Sequence, residues 1–196
     1  MVLLISGISI FRQFSRPDVP ALMRGLGVAM AGHVAGHLGQ GAEVVLLCLP
    51  PSESDFTNRQ WAAFIETLKK QGVVIRETIL IDNDGTSVIG VRENLDITRL
   101  REIAEQSRGA RAIVSMAGAL KFDSAEIDQW PADLPPLVLT FVPRGHAQYD
   151  ELLERGFVSM AILPRQNSAD PPTTRPKSAA QWLDQYWQII FSPSTR

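Results

Sequence analysis

The chain has 196 residues, 45% of them hydrophobic and 20% charged, and 19 basic against 21 acidic side chains leave a net charge of −2. That apolar share offsets the ordering entropy of a folded core and excludes a disordered chain, and the lack of any Gly-X-Y repeat excludes a collagenous one. A near-neutral balance without a Lys/Arg block lacks the clustered cations that displace counterions from nucleic acid, so no nucleic-acid partner is expected. Cys48, the single cysteine, can form no internal disulfide.

At the amino terminus Met1 to Phe11 carry no charge, and Arg12 and Arg16 follow. The stretch is shorter than the roughly 20 apolar residues of a spanning helix and lacks the basic region that opens a signal peptide. Three readings stay open. It is a core strand built on β-branched Ile5, Ile8 and Ile10 and weakened by Gly7, or a tail that is disordered or held by a partner, or part of a membrane anchor that starts upstream of Met1 and stops at Arg12 and Arg16. The anchor is preferred, because Phe11 to Asp18 looks like an amphipathic juxtamembrane linker. Residues 1–16 are therefore set apart from a single α/β domain over 17–191.

From Pro20 to Leu38, Leu22, Leu26, Ala29, Met30 and Val34 recur with helical spacing, with Pro20 suited to the first turn and Gly39 or Gly41 to the end. Val44 to Leu49 is an unbroken apolar run, the mark of a strand buried on both faces in a parallel sheet. Asn58 to Gln71 reads as a helix with Trp61, Phe64, Ile65 and Leu68 inward, and Val73 to Ile81 as a partly alternating strand nearer an edge. Asp96 to Ser107 is a third helix capped by Asp96. Short strands are expected at 112–116, 137–141 and 158–163, the last preceded by a helix near Gln148 to Arg155. Residues 164–177 are polar and Pro-rich and read as a surface loop within the domain. Ser178 to Phe191 reads as a closing helix whose stripe of Ala179, Trp182, Leu183, Tyr186, Trp187 and Ile190 docks on the sheet rather than on a partner. Strand and helix alternate throughout, which predicts an open three-layer α/β sandwich around a mostly parallel five-stranded, Rossmann-like sheet.

No catalytic signature is present: Gly-x-Ser-x-Gly, a P-loop and a strand-to-helix Gly-x-Gly-x-x-Gly are all missing. His33 and His37 stand four apart on a helix, but Val34 replaces the acid of a zinc-protease motif, so packing is the better reading and no metal or cofactor is expected. Cys48, inside an apolar strand, reads as structural. Gly32 and Gly36 hint only weakly at close helix packing. Open α/β sheets bind ligands beyond the carboxyl ends of their strands. The polar residues expected there are Ser52, Glu53, Asp55, Asn58 and Arg59 after the first buried strand, Lys121 after 112–116, Arg144 after 137–141 and Arg165 after the last strand. Arg59 is expected at a helix N-terminus, where its guanidinium would join free backbone amides in a site for a sugar hydroxyl, carboxylate or phosphate.

The run Gly27-Val28-Ala29-Met30-Ala31-Gly32-His33, then Val44-Val45-Leu46-Leu47, Asn58-Arg59 opening Trp61 to Leu68, Ala112 to Gly118, Pro135-Pro136-Leu137 to Phe141 and Leu152 to Ile162 resembles the second lobe of type I periplasmic sugar-binding proteins and their lac-repressor-like relatives. The resemblance covers residues 21–190 by pattern and implies that Arg59 contacts ligand. It departs at Ala117-Gly118, where the family has Asn or Asp, and at Val142-Pro143-Arg144, which replaces an Asp. The chain is also too short for two such lobes. The expected function is a non-catalytic, periplasmic-binding-protein-like lobe, membrane-anchored and extracytoplasmic (cytoplasmic if the amino terminus is a strand). It would take a small polar solute or a protein partner through Asp55, Asn58, Arg59, Lys121 and Arg144. The alternatives are a flavodoxin-like or hydrolase-like enzyme using Asp55, Arg59 and Ser115, and a structural lobe without a ligand site that dimerises through the C-terminal aromatic helix.

Overall fold

The computed structural model describes residues 19–50, 55–81, 97–117, 127–128, 130–140, 148–165 and 178–193. In chain order the elements are α1 (Val19–Leu38), β1 (Glu43–Cys48), α2 (Asp55–Lys70), β2 (Val74–Leu80), α3 (Ile97–Gln106), β3 (Ala112–Ser115), β4 (Leu137–Leu139), α4 (Gln148–Glu154), β5 (Val158–Pro164), α5 (Ala179–Tyr186) and β6 (Trp187–Phe191). The strands form one six-stranded sheet in the order β2-β1-β3-β4-β5-β6. β1 to β5 are parallel, and β6 runs antiparallel to β5.

The unbroken apolar runs became the central strands, as their composition requires. Every residue of β3 and β4 is buried, and β1 is buried beyond Glu43. Side chains alternate across a strand, so each run feeds two cores. On one face Val44, Leu46, Val114, Val138 and Met160 pack with Leu26, Met30 and Val34 of α1, Phe64 and Leu68 of α2, and Trp182 and Leu183 of α5. On the other, Val45, Leu47, Ile113, Leu137 and Ala161 pack with Leu100 and Ile103 of α3 and Leu152 and Leu153 of α4. Full burial of such a side chain stabilises by about 1.5–3 kcal/mol. β2 is mostly exposed, as its alternating sequence and edge position require.

Two expectations about elements are corrected. The sheet has six strands rather than five, because the closing segment is not one helix: α5 stops at Tyr186 and Trp187–Phe191 turns into β6. The helical stripe was real as far as Trp182 and Leu183, both buried, but from Trp187 onward the open edge of β5 offers a ladder of backbone hydrogen bonds. Beta-branched Ile189 and Ile190 between two aromatic residues suit that ladder better than another helical turn. The second correction is that α2 begins at Asp55, so Arg59 stands a full turn inside the helix rather than at its first amides.

α1 is glycine-rich for a reason of packing. A Cβ built on Gly27 would lie 2.1 Å from the Gln60 carbonyl oxygen of α2, and one on Gly25 would lie 2.4 Å from Ala179 Cβ of α5. The close approaches are thus at Gly25 and Gly27. Gly32 meets only the end of the Gln71 side chain and Gly36 meets nothing within 4 Å. At the end of α1, Gly39 and Gly41 take φ of 87° and 79°, the left-handed conformation that lets the chain reverse into β1.

Candidate functional site

The order β2-β1-β3-β4 means that the connections leaving β1 and β3 run to opposite sides, so a crevice opens at the carboxyl ends of β1 and β3. The described floor of this crevice is apolar. Cys48, Met116 and Ala117 are buried there, with Cys48 Sγ 3.9 Å from Met116 Sδ. Backbone groups close it off: Ile81 N–H donates to the Cys48 carbonyl and Met116 N–H to the Leu47 carbonyl, each at 2.8 Å. Burial pushes the Cys48 thiol up to about 11, which keeps it protonated and unreactive, in keeping with a structural cysteine.

Ser115 closes β3 and is fully buried. Its hydroxyl oxygen accepts from Ala117 N–H at 3.4 Å, and its carbonyl accepts from the Thr140 hydroxyl at 2.9 Å. A nucleophile needs an approach for substrate and a base beside it, and this side chain is instead folded into the end of its own strand.

Arg59 is exposed and faces a groove of about 1000 Å³ on the helical layer, bounded by the first turns of α1, the first half of α2 and the start of α5. Arg24 of α1 and Glu66 of α2 share this groove, and its floor is small: Ala21, Gly25, Ala29, Ala62 and Ala179. Glu66 is held below the usual carboxylate range first by its hydrogen bond to Lys70 (2.6 Å), then by the Lys70 and Arg24 charges. The groove therefore presents two guanidinium groups beside one carboxylate over an uncharged floor, an arrangement suited to an anionic or polar group. Arg24 and Glu66 were missed by reading strand ends alone. The signal was in the sequence, since Pro20, Arg24 and Val28, like Ala62 and Glu66, follow the four-residue spacing of one helix face.

Of the other expected site residues, Asn58 is half-buried in α2 beside Arg59. Asp55 opens α2, and its side chain lies outside the described residues, as do Ser52, Glu53, Lys121 and Arg144. Arg165 is drawn to α5, where its Nε donates to the Asp184 carbonyl at 2.8 Å. At the opposite, amino edge of the sheet His37 Nε2 lies 3.2 Å from Ser159 Oγ, with the Phe191 ring centred 5.3 Å away. Ser159 is buried and donates onward to the Leu137 carbonyl, so this pair is packing chemistry. His33 is exposed and does not join it, and among the described residues no group of three or more His, Cys, Asp or Glu converges on one point.

No family model matches the sequence, and no curated protein is similar to it in sequence. Solved structures are similar in fold. XylFII in the XylFII-LytSN complex superposes with a TM-score of 0.53 at 11% identity, covering 87% of this chain and 60% of that chain. The XylFII molecule itself gives 0.52 at 11% identity with the same coverage, 87% and 60%. A sugar-binding protein of a sugar ABC transporter from Bacillus halodurans gives 0.49 at 13% identity, covering 88% of this chain and 63% of that chain. The chain shares the fold of XylFII over 87% of its length. The likeness is one of fold, and the chain spans about three fifths of the length of these neighbours. Among the described residues no helix is long and apolar enough to cross a membrane.

Proposed function

We propose that this chain is a non-catalytic solute-binding lobe, displayed outside the cytoplasm, whose ligand meets the carboxyl edge of the sheet and the adjoining Arg59 groove. The observation that carries this reading is the combination of five parallel strands ending at one edge with a pair of arginines, Arg24 and Arg59, beside it on the helical layer. Such an edge is where open α/β sheets take ligands, and paired guanidinium groups recognise carboxylates, phosphates and sugar hydroxyls. Asp55, Asn58, Lys121 and Arg144 belong to the same proposed site through their places in the loops and helix start that follow β1, β3 and β4. Residues 1–16 serve as the membrane attachment of the lobe.

A protein partner is the second reading, supported by XylFII, of similar fold, which is solved in complex with LytSN.

The test is thermal unfolding of the full chain against a panel of sugars, amino acids, nucleosides and organic phosphates, with Arg59→Ala as control. A ligand at about 100 times its Kd stabilises by about 2.7 kcal/mol. For a chain of this size that is a rise in Tm of roughly 5–10 °C. A saturable rise that shrinks in Arg59→Ala supports the solute-binding lobe. No rise with any compound overturns it as a stand-alone binder and favours the partner-dependent reading.

A further inference from the structure

The Arg59 groove fits a narrower class of ligand than a polar solute at large. Its volume of about 1000 Å³ is that of a small-molecule site, which spans roughly 300–1,000 Å³. The side chains that line it divide sharply. Arg24, Arg59 and Glu66 are charged and Ser178 carries a hydroxyl, whereas every other lining residue is Ala, Gly, Pro or Val. The Ser178 oxygen already caps α5 by accepting from Gln181 N–H. A sugar ring laid on this floor would exchange hydroxyl–water bonds for contact with methyl groups, which is unfavourable. The body of a ligand that covers the floor is therefore apolar.

Charge fixes the other end of the ligand. Glu66 holds Lys70 at 2.6 Å, an i,i+4 pair along α2, so its charge is matched from its own helix. Arg24 on α1 and Arg59 on α2 then leave the groove positive among the described residues that line it. Both are exposed, and each guanidinium has five N–H donors, so a bond made to a neighbour still leaves donors for a ligand. The first turn of α5 opens onto the same groove through Ala179 and Ala180, and it has no acidic side chain to oppose an anion.

We propose that this groove takes a phosphate monoester with a small apolar body, the phosphate bound by Arg24 and Arg59 and the body laid on the alanines of α1 and α2. A phosphate monoester carries about −1.5 to −2 charges at pH 7 and so matches two guanidinium groups, whereas a carboxylate matches one. The inference rests on the groove being part of the ligand site and names the member of the polar-solute class that fits it. The same chemistry is found free in solution, as an alkyl phosphate, and at a bilayer surface, as phosphatidic acid.

Isothermal titration of the full chain with hexyl phosphate, inorganic phosphate, glucose phosphate and hexanol separates the charge from the body. Hexyl phosphate is expected to bind tightest, inorganic phosphate and glucose phosphate more weakly, and hexanol not at all. Arg24→Gln and Arg59→Gln are each expected to weaken hexyl phosphate at least about tenfold, the effect of losing a charge-assisted hydrogen bond. Ala62→Leu, at an exposed position on the groove, is expected to weaken it by filling the space for the body, with the circular dichroism unchanged. Co-sedimentation with phosphatidylcholine vesicles containing about 20% phosphatidic acid is the second arm. Binding to these vesicles that is lost in both arginine variants, without binding of hexyl phosphate, assigns the same chemistry to a lipid. No phosphate binding in either arm overturns the inference. So does binding that the arginine variants leave intact, or glucose phosphate binding as tightly as hexyl phosphate. If a neutral sugar or an amino acid stabilises the chain and neither phosphate arm binds, this inference alone fails; if no compound binds, the solute-binding reading fails with it.

Discussion

A methyl group added at Gly27 would sit 2.1 Å from the Gln60 carbonyl, a backbone atom that cannot move without moving α2. In an open helix Gly→Ala gains about 0.5–1 kcal/mol. Here overpacking reverses the sign and costs roughly 1–3 kcal/mol. Gly27→Ala is therefore expected to lower Tm in a denaturation series, while Gly36→Ala, with nothing within 4 Å of its Cβ, raises it. His37 belongs to the same scale. Burial, then the Arg111 charge, hold its pKa below the ordinary 6.5, so under acid conditions the unfolded chain binds a proton that the native chain refuses. The contribution of His37 to stability is thus fully present above pH 6.5 and is lost as the pH drops from 6.5 towards its native pKa. His37→Gln is expected to flatten that part of the pH–stability curve measured by urea titration, and an unchanged slope would assign it to another group. None of these side chains announced its role in sequence. The four glycines of α1 look alike there, and only the positions of Gln60 and Ala179 separate the two that matter.

At the scale of elements the most informative segment is Ser178 to Phe191. The sequence placed the start of this helix at Ser178, and the structure makes Ser178 its cap, the hydroxyl oxygen accepting from Gln181 N–H at 3.2 Å. Ser178→Ala is expected to cost about 1 kcal/mol, read as a fall in Tm with unchanged far-ultraviolet signal. The switch from α5 to β6 two turns later was not legible. Trp182, Leu183, Tyr186 and Trp187 fit a helical face, and Trp187, Ile189 and Phe191 fit a strand face, so the sequence satisfies both periods across the junction. The free edge of β5 decides between them. The central strands posed less of a choice, because apolar runs this short between turn signals are too brief for a buried helix and suit a doubly covered strand. The candidate site divides in the same way. Arg59 was legible as a basic residue following the first buried strand, whereas its neighbour Arg24 comes from α1, 35 positions earlier in the numbering, and is brought alongside by the packing of two helices over Gly27.

For the whole molecule, both cores are assembled from residues between Leu22 and Ile190 among those described. A chain beginning at Pro17 is therefore expected to keep its circular dichroism and unfold cooperatively, as a domain over 17–191 with a separate amino-terminal segment requires. Loss of the cooperative transition would instead make residues 1–16 part of the core, the strand reading. The alternation of apolar runs with amphipathic helices determined the α/β class, the parallel sense of the strands and the lobe-like order of elements, because a strand buried on both faces needs helices above and below it and crossovers of one hand. Tertiary structure alone decided two things: the sixth strand and the placing of Arg24 and Arg59 on one groove. Each depends on which backbone edge or helix face lies alongside, and distance along a chain carries no information about that until the core has closed.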